Sequence, residues 1–170
     1  MIVTKSELNK VLLSMGLRSN DTVMLHIDSG VATQMVGNTN FEKLNYFIMS
    51  LMEFFKHGTI LVPTFTYSST KGEQYDPKSS SSAVGLFSEA FRKLDGVDRT
   101  DHPIFSFAIF GTNKKIFKES KLDDCFGLDT VFDHFNRCEG KVVCINCIFE
   151  PTYVHHLEQK KLVNYRYFKT

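Results

Sequence analysis

Apolar and polar residues follow one another along the chain in two alternating periods, and their order predicts an α/β fold. Leu8, Val11, Leu12 and Met15 recur three and four apart behind Thr4-Lys5-Ser6-Glu7, which has the form of a capping box, and Gly16 stops the run. The chain therefore opens with a helix. Val23-Met24-Leu25-His26-Ile27 is short, largely apolar and followed by the breaker Asp28-Ser29-Gly30, as a buried strand would be. Leu44, Phe47, Ile48, Leu51, Met52 and Phe55 draw a helical stripe across residues 41–56, and Gly58 stands where a terminator is expected. Residues 59–62 form a second buried strand. The stretch from Pro63 to Ala83 is polar, with four consecutive serines at 79–82, and is too long for a simple connection. Such a loop is functional or mobile. A helix over 83–94, a strand over 105–110, a helix over 129–138, a strand over 141–149 and a final helix from Thr152 complete an α/β alternation. No repeat interrupts it, and residues 1–170 read as one domain.

Composition narrows the function classes. A hydrophobic content of 42% with 16 Phe supplies a sizeable core for 170 residues. Lys and Arg number 20 against 19 Asp and Glu, a formal charge of +1, so no global field draws in nucleic acid or an anionic membrane. The N-terminus MIVTKSELNK lacks the basic start and apolar stretch of a signal peptide, and no apolar run reaches spanning length, so a soluble, cytoplasmic protein without a membrane partner is expected. Cys125, Cys138, Cys144 and Cys147 do not have the spacings of a disulfide scaffold, and reduced thiols are expected. Cys144 and Cys147 have the spacing of a redox or zinc CxxC. They fall in the predicted strand, however, where residues three apart point to opposite faces, so they read as core cysteines. His134 and Cys138 lie i, i+4 on a predicted helix, but two ligands do not make a metal site, and none is expected.

Four segments, in order, carry a resemblance: DTVMLHIDSGVATQMVG at 21–37, GTILVPTFT at 58–66, GLFSEAFRKLDGVDRTDHPIFSFAIFG at 85–111, and TYVHHLE at 152–158. The succession GxxxExFR, a basic residue with HPxxSxxxxG, then TxxHxxE resembles the aminoglycoside 3-N-acetyltransferase, or antibiotic acetyltransferase, family. His26-Ile27-Asp28 stands where the drug-resistance enzymes have His-Ser-Ser, so the chain is more similar to the branch associated with bacterial surface-polysaccharide loci. The resemblance implies a mixed central sheet flanked by helices. It also implies transfer of acetyl from acetyl-CoA directly to an amine of an amino sugar or aminoglycoside-like acceptor, without a metal or an acyl-enzyme.

Aminolysis of a thioester needs a base for the amine proton and donors for the developing oxyanion. His155 and Glu158, i and i+3 on a predicted helix, share a face, so Glu158 can orient the imidazole, with Thr152 suited to the N-cap. By itself the pair reads equally as a surface histidine beside a chance glutamate; the resemblance makes it base and orienter. His156 reads as a solvent or packing histidine. Residues 26–37 correspond to the family's CoA-binding stretch, with His26, Ser29, Gly30 and Val31 as its contacts and backbone amides for the pyrophosphate. Thr64 and Thr66 are candidates for the thioester or pantetheine. Arg99 reads as a partner for a CoA phosphate or as a structural ion pair with Asp98 or Asp101, and His102 and Ser106 as lining the cleft. Asp28, poor company for a phosphate, faces the acceptor amine or caps its loop. Tyr75 and Asp76 belong to the acceptor side, as a lid or wall.

The resemblance also implies a fold that continues past Thr170. Strand edges left by a shortened fold favour association, so a homodimer is expected. The alternative to a working transferase is an inactive CoA-binding or assembly protein.

Overall fold

The computed structural model describes residues 2–149 and 151–167. The opening helix α1 (Lys5–Ser14) starts on the capping box foreseen in its sequence: Thr4 Oγ1 accepts from the Glu7 N–H, and the Glu7 carboxylate accepts from the Thr4 N–H at 2.7 Å. β1 (Thr22–Ile27) follows and runs into a 3₁₀ turn, Ser29–Gln34. Next come α2 (Asn40–Phe54), β2 (Thr59–Pro63), the short α3 (Ser68–Lys71), α4 (Leu86–Phe91), the two-residue β3 (Asp98–Arg99) and β4 (Phe107–Gly111). α5 (Lys114–Lys118), α6 (Val131–Arg137), β5 (Lys141–Ile145), α7 (Val154–Lys160) and α8 (Asn164–Tyr167) complete the order.

The five strands form one mixed sheet in the order β3-β4-β2-β1-β5. β1 runs parallel to β2 and to β5, while β4 is antiparallel to β2 and β3. Both faces are covered, and the strand sequences obey this with period two. Val23, Leu25, Ile60, Val62 and Ala108 point into a core made with α1, α2 and α4, where Leu12, Phe47, Leu51, Phe87 and Phe91 are buried. Met24, Leu61, Phe107 and Ile109 point the other way, onto Phe117 of α5 and Phe132 and Phe135 of α6.

Several boundaries differ from the sequence reading. β5 stops at Ile145 instead of continuing to 149, because Asn146 takes a left-handed conformation (φ 53°) that leaves the strand. β3, α3 and α5 were not foreseen; each is five residues or shorter, too short to show a period. Gly58 does not terminate α2, which ends on Phe55 as its cap. Glycine is needed there for close approach, since a Cβ at 58 would sit 2.1 Å from the Asp21 carbonyl oxygen. Among the described residues no helix is long and apolar enough to cross a membrane.

Candidate active site

β1, β2 and β5 are parallel, so their carboxyl ends meet at one edge of the sheet, the position at which open α/β sheets place ligands. A cleft of about 300 Å³ opens there. His26, Ile27 and Asp28 from the end of β1 line it, with Pro63, Phe65 and Tyr67 after β2, Ser88 of α4, and Cys147 and Thr152 beyond β5. His26 is half-buried, and desolvation of its ring holds it below the usual imidazole value, so it is neutral. Its Nε2 is enclosed and has no hydrogen-bond partner among the described residues.

The turn after β1 is closed by its own sequence. Asp28 is its N-cap: Oδ1 accepts from the Gly30 N–H at 2.7 Å, and the Asp28 carbonyl accepts from the Val31 N–H at 3.2 Å. Asp28 therefore fills its loop-capping alternative, and two of the amides assigned to a pyrophosphate are already satisfied by it. Ser29 and Val31 are half-buried and Gly30 is exposed at the rim of the same turn.

His155 and Glu158 meet on α7, with His155 Nδ1 2.8 Å from Glu158 Oε2. Glu158 is the more enclosed partner, and its Oε1 accepts from the Tyr165 hydroxyl at 2.8 Å. The imidazole is seated edge-on against Phe126, 5.5 Å between centroids. Ring contacts link this seat to the cleft: Phe126 meets Phe105 at 5.1 Å, and Phe105 meets the cleft-lining Phe65 at 5.1 Å. Thr152 is not the helix cap; Tyr153 holds that position without a side-chain bond, while the Thr152 carbonyl accepts from the His155 N–H at 3.1 Å and Thr152 itself faces the cleft. His156 packs, as expected of it: it is buried, stacks on Tyr153, and its Nδ1 lies 2.7 Å from the Phe126 carbonyl. A larger cavity, about 490 Å³, opens beside the same helix and is lined by His156, Gln159, Lys160 and Asp124. Neither cavity is lined by His155 or Glu158; the smaller cleft is the better candidate because it lies at the carboxyl ends of the parallel strands and includes Thr152, one helical turn before His155.

The structure does not bring the remaining candidates into the cleft. Along the exit of β2, Pro63, Phe65 and Tyr67 face it, and the intervening Thr64 and Thr66 turn inward. The Thr64 hydroxyl donates to the Ser106 carbonyl at 3.1 Å and accepts from Arg99 Nε at 3.0 Å; the Ser106 hydroxyl donates to the Thr64 carbonyl at 2.8 Å. Thr66 donates to the Pro103 carbonyl at 2.8 Å. Arg99 is only 6% exposed and pairs with neither Asp98 nor Asp101. Asp98 and Asp101 pair with Lys114 and Lys118 instead, while the Arg99 guanidinium donates to the carbonyls of Thr64, Pro77 and Ser80 and lies 5.3 Å from the centroid of the Tyr75 ring. Four of the five N–H donors of this buried fork are thus spent inside the protein, which leaves little of it to meet a phosphate. His102 is buried, its Nδ1 accepting from the N–H groups of Ile104 and Phe105.

These contacts explain the long serine-rich loop. Tyr75 donates to the Thr100 carbonyl at 2.6 Å, Asp76 accepts from Lys78 N–H and Ser79 Oγ within its own turn, and Arg92 reaches the Lys78 carbonyl while forked on Glu89. Arg92 at the end of α4 and Arg99 on β3 thus hold the loop, with Tyr75 fixed on Thr100 and the exposed Asp76 engaged in its own turn. Sequence reasoning missed Phe65, Ser88, Cys147 and Thr152 as cleft residues; the period-two alternation after Val62 was the signal for Phe65, and the others needed the tertiary fold.

Fold and sequence together define the class. Residues 24–170 match the model of the aminoglycoside 3-N-acetyltransferase family, and the chain belongs to that family. Its fold is similar to that of AAC-IIIb in a binary complex with CoASH, with a TM-score of 0.80 and 20% identity over 94% of this chain and 65% of that one. Aminoglycoside acetyltransferase AAC(3)-Xa gives 0.77 and 23% over 92% and 61%, and AAC-VIa bound to sisomicin 0.75 and 22% over 93% and 64%. The chain spans under two thirds of the length of each.

Proposed function

We propose that this chain is an N-acetyltransferase that moves acetyl from acetyl-CoA directly to an amine of an amino sugar or aminoglycoside-like acceptor. The observation that carries the reading is the 2.8 Å contact between His155 and Glu158 beside a cleft at the carboxyl ends of three parallel strands. Family membership, a neighbour of the same fold holding CoASH and another holding sisomicin support it.

The cleft fits the acyl end of such a donor. Pro63, Phe65 and Val84 give it an apolar wall for a pantetheine arm, and His26 offers an enclosed ring nitrogen without a partner among the described residues, with Ser88 and Thr152 as further polar groups of the lining. Transfer requires the amine nitrogen to bond to the thioester carbonyl carbon, the C–S bond to break, and the sulfur to leave as the thiol. His155 takes the proton from the attacking amine as general base. Glu158, anchored by Tyr165, holds the imidazole in orientation and stabilises its charge while it carries the proton. Phe126 fixes the plane of the ring. His26, kept neutral by burial, serves as an uncharged hydrogen-bonding group on the donor side. The preference for a surface-polysaccharide amino sugar over a drug rests on His26-Ile27-Asp28, where Asp28 is committed to capping its own turn.

Calorimetric titration with acetyl-CoA, followed by thiol release on adding a panel of amino sugars, tests the proposal. Binding with amine-dependent thiol release is expected; binding without release for any amine would leave a CoA-binding protein that does not transfer.

A further inference from the structure

Cys144 and Cys147 are not the separate core cysteines that a continuous strand would make of them. β5 ends at Ile145, and the left-handed Asn146 turns the chain so that Cys147 returns to His26 of β1, the residue with which Cys144 is in register. Both are free thiols. Cys147 is exposed, lines the cleft and donates through Sγ to the His26 carbonyl at 3.2 Å. Cys144 is half-buried, in register with that same His26 on the neighbouring strand. Burial, then the adjacent Cys147, pushes the Cys144 thiol up to about 11, so it is the less nucleophilic of the two near neutral pH.

We propose that Cys144 and Cys147 form a dithiol–disulfide couple in the wall of the cleft, open to low-molecular-weight disulfides, with Cys147 as the attacking sulfur and Cys144 as the resolving one. Cys147 gives up its proton and its thiolate attacks one sulfur of the small disulfide, forming a protein mixed disulfide and releasing one small thiolate. Cys144 then loses its proton and attacks the Cys147 sulfur, forming the Cys144–Cys147 bond and releasing the second small thiolate. Two protein thiols are oxidised by two electrons, the small disulfide is reduced to two thiols, and the two protons leave with them. The closed bond removes the Cys147 S–H that donates to the His26 carbonyl, so oxidation alters the cleft wall. None of this depends on acetyl transfer.

The test is incubation of the full chain with glutathione disulfide, quenching with an alkylating agent, and intact-mass and peptide analysis. The expected product has lost two hydrogens, keeps two of its four thiols alkylatable, and carries the bond between Cys144 and Cys147. Cys144→Ser is expected to stop at one glutathione on Cys147. Cys147→Ser is expected to form an adduct at Cys144 at least about tenfold more slowly than Cys147 does in Cys144→Ser, as a protonated thiol does not attack. Four alkylatable thiols in the treated native chain, or glutathione on Cys125 or Cys138 in place of Cys147, would overturn the proposal; the native-chain result does not depend on how either variant folds.

Discussion

Glu158 touches His155 through one carboxylate oxygen and Tyr165 through the other, and the two contacts make separate predictions. His155→Ala is expected to lower kcat by about 10²–10⁴, the usual worth of a positioned base, while leaving the calorimetric Kd for acetyl-CoA unchanged. Glu158→Gln keeps an atom for Tyr165 and loses the charge beside the imidazole, so kcat is expected to fall less than in His155→Ala, with KM for acetyl-CoA unaffected. Half-buried His26 and buried His102 both contribute to acid stability. Desolvation lowers His26 and His102 below the unfolded value of about 6.5, with Asp124 partly offsetting this at His102. The unfolded chain therefore takes up these protons first: the stability they contribute is complete above about pH 6.5 and is lost as pH falls through the lowered folded values. Thermal midpoints measured from about pH 7.5 downward are expected to decline in that window, and to decline less in His102→Gln. At this scale the His155–Glu158 pair was legible because a three-residue spacing on one helix is a local fact. Arg99, Thr64 and Ser106 were not legible as a buried cluster. Their residue types suit a ligand equally well, and only the pairing of β4 with β2 on one side and β3 on the other brings them together.

Among the elements, the close passage of β2 and β4 sets a strict requirement. Gly111 has φ +114°, and a Cβ there would lie 2.2 Å from the Gly58 carbonyl oxygen. Gly111→Ala is expected to cost about 1–3 kcal/mol in chemical denaturation, since both the backbone conformation and the approach of the strands are lost. The loop between β2 and α4 responds to a different residue. Arg99 holds Pro77, Ser80 and Thr64 by their carbonyls, and since Thr64 keeps the Ser106 hydroxyl, Arg99→Leu leaves the part-buried carbonyls of Pro77 and Ser80 unpaired, at about 1–3 kcal/mol each where no water replaces the guanidinium. Limited proteolysis is expected to cut residues 67–84 of that variant faster than the native loop; equal rates would show that Arg92 and Glu89 suffice to hold it. The major elements were readable from hydrophobic period alone: α1, α2, β1 and β2 lie within two residues of their predicted bounds. The long polar loop misled because its serines look mobile, whereas two arginines from outside it provide the order.

For the molecule as a whole, the mixed sheet with both faces covered places the candidate chemistry at one edge, where β1, β2 and β5 end together. β5 is also a border strand, and its outer side has no strand partner among the described residues. Such an edge favours association, and sedimentation equilibrium is expected to show a dimer; a monomer at the same concentration would remove that expectation. The alternation of helices and strands announced the fold class, but the sheet order could not be read from it, because β5 joins β1 across more than a hundred residues of intervening chain. The placement of Cys147 and Thr152 in the cleft follows from that pairing. The central claim concerns what the cleft and the adjacent pair do together, and single-turnover thiol release on mixing the acetyl-CoA-loaded protein with amino sugars measures it most directly. Release that requires an amine, yields the N-acetylated product and disappears in His155→Ala while acetyl-CoA binding persists is the predicted result; undiminished release in His155→Ala would contradict the assignment of the base and with it the account of the site.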